Sequence, residues 1–131
     1  MFLLDGGNIY IHQGDSASFD IVFGEVDELG ANQLSASEIY GTDWIPENGT
    51  PILFSVKVDS GKYRCVIQKK YVVWNGFVCI DLTPIDTRYL PFGEYFWDIR
   101  LIFPNADTHD VNTPFNPFSF YVTEVIGGYG G

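Results

Sequence analysis

Apolar and polar side chains alternate with a period of two along most of this chain, the pattern of strands with one buried and one exposed face. Ala17, Phe19, Ile21 and Phe23 fall on one side of a run whose other side carries Ser16, Ser18 and Asp20. Ile52, Phe54, Val56 and Val58 oppose Ser55 and Lys57 in the same way. The clearest run is Glu94 to Phe103. There Tyr95, Trp97, Ile99, Leu101 and Phe103 share a face, and Glu94, Asp98 and Arg100 share the other. Phe118, Phe120 and Val122 alternate with Ser119, Tyr121 and Thr123 near the end. Shorter runs cover Asn8 to Gln13, Lys62 to Gln68, Tyr71 to Trp74 and Phe77 to Leu82.

Turn residues separate these runs. Gly14-Asp15 divides the first two, and Asp59-Ser60-Gly61 suits a hairpin. Asn75-Gly76 is the strongest hairpin signal, because both residues accept positive φ. The sum is seven or eight strands, which predicts an all-β, immunoglobulin-like sandwich. One short helical turn is expected at Thr83-Pro84-Ile85-Asp86, running to about Leu90. A capping residue, proline at the first helical position and an acid in the first turn all favour it. Glu25 to Gly49 is the least regular stretch. It reads either as a surface excursion or as carrying one more short strand near Ser37 to Tyr40. The pattern predicts one domain over residues 1–126 and a flexible glycine-rich tail over residues 127–131.

Composition narrows the function classes. The chain has 131 residues, 46% hydrophobic and 17% aromatic, so it is rich enough in apolar side chains for one folded core. The formal net charge is −10. That balance disfavours nucleic acid and anionic membranes, which need lysine and arginine to displace counterions. It suits solubility, or a basic protein partner. The opening Met1-Phe2-Leu3-Leu4-Asp5 is too short for a signal peptide, and no stretch approaches a membrane span, so synthesis in the cytoplasm is expected. Cys65 and Cys79 each sit in an apolar run and read as buried free thiols, with a bridge between neighbouring strands as the other possibility.

No convergent catalytic set is apparent, and no enzyme activity or cofactor is expected. His12 lies in a strand and His109 in a polar loop, without metal-ligand spacing. Asn105 to Asp110 offers oxygen ligands at alternating positions, but without the spacing of a calcium loop it reads as a solvated turn. Trp97 belongs to a core face, whereas Trp44 and Trp74 lie near turns and could be exposed. Asp98 and Arg100 share the polar face of their strand, either as a cross-strand ion pair or as an intersubunit contact. Trp44, Trp74, Asp98 and Arg100 are the candidate interaction residues.

Four blocks of sequence together resemble a known group. Ile9-Tyr10-Ile11-His12-Gln13-Gly14-Asp15-Ser16-Ala17-Ser18-Phe19 looks like its opening: an apolar pair, Gly-Asp-Ser and an alternating strand. Leu82-Thr83-Pro84-Ile85-Asp86-Thr87-Arg88-Tyr89-Leu90-Pro91-Phe92-Gly93 looks like its turn, and Glu94-Tyr95-Phe96-Trp97-Asp98-Ile99-Arg100-Leu101 like the strand after it. Phe118-Ser119-Phe120-Tyr121-Val122-Thr123 matches the last strand. In this order the blocks resemble the N-terminal domain of siphophage upper baseplate proteins and small prophage tail proteins. The resemblance implies an immunoglobulin-like sandwich, a virion role and no catalytic residues. It also implies other tail proteins, or further copies of the chain, as partners. Longer members carry a stalk and a receptor-binding region after the last strand, so docking or decoration is expected here rather than receptor recognition. A carbohydrate-binding sandwich using Trp44 and Trp74 is the alternative.

Overall fold

A computed structural model describes residues 2–41, 43–58, 64–101 and 118–124. Nine strands and two short helices occur in the order β1 (Phe2–Asp5), β2 (Asn8–His12), β3 (Ala17–Val22), β4 (Gln33–Ser35), α1 (Ala36–Tyr40), β5 (Pro51–Lys57), β6 (Cys65–Val72), β7 (Phe77–Leu82), α2 (Pro84–Thr87), β8 (Gly93–Leu101) and β9 (Phe118–Thr123). They form an all-β sandwich. A six-stranded sheet in the order β1-β2-β9-β8-β5-β6 faces a three-stranded sheet in the order β4-β3-β7. The central β9-β8-β5 run opposite the β3-β7 pair reproduces the G-F-C and B-E arrangement of immunoglobulin-type folds. The β2–β9 pair is parallel, with Ile9 opposite Phe120 and Ile11 opposite Val122.

The alternating faces meet as their spacing requires. Phe19, Ile21, Val78, Ile80 and Leu82 of the small sheet pack against Ile9, Phe54, Val56, Trp97, Ile99 and Phe120 of the large one, all buried. Phe54 links the layers, 6.3 Å from Phe19 and 5.7 Å from Trp97 between ring centroids. Trp97 is completely buried, and its indole Nε1 donates to the Gly7 carbonyl at 2.8 Å. That bond satisfies the one polar atom of the side chain within the core. Gly7 must be glycine, because a Cβ there would run into the Phe118 ring.

One edge of the sandwich is closed by side chains instead of a backbone ladder. Lys69 and Tyr71 of β6 reach across to β7. Lys69 Nζ donates to the Asp81 carbonyl at 2.8 Å and lies 2.6 Å from Asp86 Oδ2. Tyr71 Oη donates to the Asp81 carbonyl at 2.9 Å and accepts from the Asp81 N–H at 3.1 Å. Asp86 Oδ2 also accepts from the Thr83 N–H at 2.7 Å and the Thr83 hydroxyl at 3.1 Å, capping α2. The corner then enters β8 through Tyr95, whose hydroxyl donates to the Pro91 carbonyl at 2.6 Å. This matches the tyrosine corner at the E–F crossing of immunoglobulin-type sandwiches.

Several expectations change. Among the described residues the strands number nine, with two helices rather than one. Two strands are additional: β1, joined to β2 through Gly6-Gly7, and β4. The described parts of the two runs expected at Lys62 to Gln68 and Tyr71 to Trp74 are joined in one strand, β6 (Cys65–Val72), with Val73 and Trp74 beyond its end. Ser37 to Tyr40 is helical, and the extra strand directly precedes it. Ser35 ends that strand and caps α1 by accepting from the Glu38 N–H at 3.2 Å, while Gly41 closes the helix at φ 70°. α2 stops at Thr87 rather than near Leu90. Val58 is exposed, because β5 ends at Lys57 after an irregularity at Val56/Lys57. Neither cysteine is in a disulfide and neither is buried: Cys79 is exposed and Cys65 half-buried. In β7 the inward parity belongs to Val78, Ile80 and Leu82, so Cys79 faces out. The hairpin at Asp59 to Gly61, the loop from Asn105 to Asp110 with His109, Phe103 and the tail at residues 127–131 lie outside the described residues.

Candidate interaction surface

The four residues singled out from sequence occupy two different places. Trp44 and Trp74 lie at the end of the sandwich where β3 finishes and β7 begins, and are 44% and 56% exposed. Asp98 and Arg100 lie on the outer face of the large sheet, within β8. Asp98 is only 6% exposed, and its Oδ2 pairs with Lys57 Nζ of β5 at 3.1 Å. Asp98 stands opposite Ser55 and Lys57 opposite Phe96, so the pair is diagonal across the two strands. Of these two residues, Asp98 thus makes a cross-strand ion pair, with Lys57 as its partner. Two buried atoms on this face, Asp98 Oδ1 and Arg100 Nε, have no hydrogen-bond partner among the described residues.

The tryptophan end is built from two connected pieces. The first is the β6–β7 hairpin. Asn75 and Gly76 take positive φ of 52° and 80°, and Trp74 and Phe77 exchange backbone hydrogen bonds at 3.1 Å across the turn. A two-residue turn with positive φ at both positions matches strand twist. It leaves the Trp74 and Phe77 side chains on the surface. The second piece is the 43–50 loop, which is tied to the hairpin at three points. Asn75 N–H donates to Asn48 Oδ1 at 2.8 Å, Gly49 N–H to the Val73 carbonyl at 2.8 Å, and Val73 N–H to the Thr50 carbonyl at 2.9 Å. Ile45 lies against Gly24 and Gly76, where a Cβ on either glycine would meet its side chain.

Trp44, Ile45, Val72, Trp74 and Phe77 are thus large apolar side chains exposed at one end. Solvated loops seldom gather such residues, and an apolar patch with a polar rim marks a contact site. The rim here is acidic. Asp43 and Glu47 flank the patch within the loop, and Glu25 follows Gly24. Asp20 lies beside Phe77, Gly76 and Val22 in a shallow groove on the small sheet. Lys57 is the first lysine or arginine in the chain, so no lysine or arginine lies among the carboxylates of the preceding segments.

A second apolar cluster marks the opposite end. Ile85 and Tyr89 on and just after α2, with Phe92, are exposed, and the Arg88 guanidinium stands 4.8 Å from the Tyr89 ring centroid. Their placement follows from the capped turn, which directs Thr87 inward. Its hydroxyl accepts from the Gly14 N–H at 3.0 Å and donates to the Asp15 carbonyl at 2.9 Å. Sequence reasoning missed Ile45, Phe77, Ile85, Tyr89 and Phe92 as surface residues. An isolated apolar residue near a turn gives no signal of exposure, although Asn75-Gly76 beside Phe77 placed that residue at a hairpin.

The resolved pKa shifts belong to the clasp and the corner. Burial pulls the Lys69 ammonium down, but hydrogen bonding to Asp86 and the charges of Tyr71, Asp86 and Asp81 outweigh it and leave it raised. Burial pushes the Asp86 carboxyl up, and Lys69 with the Thr83 donors outweighs that and holds it below its ordinary value. Burial raises the Tyr71 and Tyr95 phenols. Among the described residues no group of three or more His, Cys, Asp or Glu side chains is placed to hold a metal ion. No helix among them is long and apolar enough to cross a membrane. Comparison with protein-family models, curated proteins and solved structures returns no match.

Proposed function

We propose that this protein is a non-enzymatic structural or adaptor component of a bacteriophage or prophage tail, acting through protein–protein contacts. The observation that carries the contact role is the exposed patch of Trp44, Ile45, Val72, Trp74 and Phe77 on a hydrogen-bonded, acid-rimmed end of the sandwich. Large aromatic side chains held in place lose little entropy on binding and act as anchors in interfaces. Support for the tail comes from the ordered resemblance of four sequence blocks to baseplate domains. The second apolar cluster at Ile85, Tyr89 and Phe92 gives the molecule two contact ends, as an adaptor needs.

The test is mass spectrometry of particles purified after prophage induction in the producing bacterium. The chain is expected in the tail fraction, with its gene among tail genes. Absence from the particles, or a gene lying in a metabolic operon, overturns the proposal. One observation favours a second reading, carbohydrate binding: both exposed tryptophans lie at the same end, where sugar rings could stack on them. Glycan-array binding that disappears in Trp44→Ala and Trp74→Ala would replace the contact role with that one.

A further inference from the structure

We infer that the tryptophan end docks an arginine-bearing segment of a protein partner, with guanidinium groups stacking on Trp74 and Phe77 and pairing with Asp20 and the acids of the 43–50 loop. The inference rests on reading that end as a protein-contact surface and adds the chemistry of its occupant.

Three observations combine. The first is the exposed aromatic pair on a rigid hairpin, Trp74 at 56% and Phe77 at 41%, on either side of the Asn75-Gly76 turn. The second is the groove beside it, bounded by Asp20, Val22, Phe23, Gln33, Asn75, Gly76 and Phe77. Asp20 takes a hydrogen bond from Gln33 Nε2 at 3.3 Å, which orients its carboxylate beside the aromatic wall. The third is the sign of the charge. Asp20, Glu25, Asp43 and Glu47 belong to segments that hold no lysine or arginine. An aromatic face beside a carboxylate suits a planar cation best. Arginine stacks on rings and forms bidentate pairs with carboxylates, and it sheds water more readily than an ammonium group does. An acidic partner meets repulsion here, and so does a second copy presenting the same end.

The test uses the full chain, isotope-labelled for NMR, and a synthetic octapeptide of alternating arginine and serine as probe. Two control peptides replace arginine with neutral citrulline or with lysine. Shifts are expected at Asp20, Val22, Trp44, Glu47 and residues 74–77, with the citrulline peptide silent and the lysine peptide several-fold weaker. Trp74→Ala and, separately, Asp20→Asn should each weaken binding about tenfold. Trp74→Phe serves as the variant that keeps a ring if the alanine variant is unstable. Shifts spread evenly over distant carboxylates such as Asp81 and Glu94 overturn the inference. So does unchanged affinity in Trp74→Ala, or equal binding of lysine and arginine peptides. A chain present in tail particles that ignores the arginine peptide loses this inference and keeps the proposed function. A chain absent from particles that binds the peptide at this end loses the tail role and keeps the surface.

Discussion

Trp97→Phe separates the core tryptophan from the surface ones and tests the architecture at its most connected point. Trp97 is fully buried between Phe54 and Phe118, at 5.7 and 6.0 Å between centroids, and its Nε1 holds the Gly7 carbonyl at 2.8 Å. Phenylalanine keeps an aromatic ring but removes the donor and shortens the side chain. The Gly7 carbonyl then loses its side-chain partner inside the core, at a cost of roughly 1–3 kcal/mol. The space left by the smaller ring adds about 1–2 kcal/mol, since the surroundings relax only in part. The expected loss is therefore about 2–5 kcal/mol, a large fraction of the ~5–15 kcal/mol of a typical domain. Urea unfolding followed by circular dichroism reads it as a lower midpoint at unchanged slope. Trp74→Phe is the control, and its exposure predicts a change within about 0.5 kcal/mol. Equal losses in the two variants would refute both the buried position of Trp97 and its bond to Gly7.

Other perturbations have definite directions. Asp86 has a lowered pKa in the folded chain, so its contribution is present above the unfolded carboxylate value of 3.8 and fades as pH falls through the folded value. Lys69 is raised above 10.5, so its contribution is complete below that value and is lost as pH rises through the folded one. Melting temperature against pH should thus sag at both extremes, and Asp86→Asn should flatten both limbs while costing up to about 1 kcal/mol at neutral pH. Gly76→Ala places a side chain at φ 80° and should destabilise the hairpin by about 1 kcal/mol, read as a lower urea midpoint. Tyr95→Phe removes the corner bond to Pro91 and should cost about 1 kcal/mol. In the intact chain, ultraviolet titration should find the Tyr95 phenol ionising above pH 10.0.

The sandwich was legible because its inner strands alternate cleanly. Tyr95, Trp97, Ile99 and Leu101 are all buried, as their shared parity requires. The same rule, applied residue by residue, would have turned Cys79 outward. Its apolar neighbours Phe77 and Val78 concealed the parity, because Phe77 is apolar and exposed. β1 was obscured because Phe2, Leu3 and Leu4 are apolar on both faces, although Gly6-Gly7 supplied a turn. In the Glu25 to Gly49 stretch the signal was local and readable: Ser35 followed three residues later by Glu38 is the signature of a helix start. The Lys69–Asp86 clasp joins residues on β6 and α2, and spacing along the chain carries no trace of it. The pairing of Asp98 with Lys57 likewise depends on the β5–β8 register, which only the folded sheet fixes. The candidate site was half legible. Trp44 and Trp74 beside turn residues were recognisable as candidates for exposure, whereas Ile45 and Phe77 join them only through the bonds between loop and hairpin.

Oxidative footprinting of Trp44 and Trp74 tests the contact surface most directly, comparing the isolated chain with the chain in the tail particles proposed to hold it. Both indoles are open to labelling in the isolated chain, and strong protection of both in the particle, with Trp97 unlabelled throughout, is the predicted result. Equal labelling of Trp44 and Trp74 in the two states would contradict it.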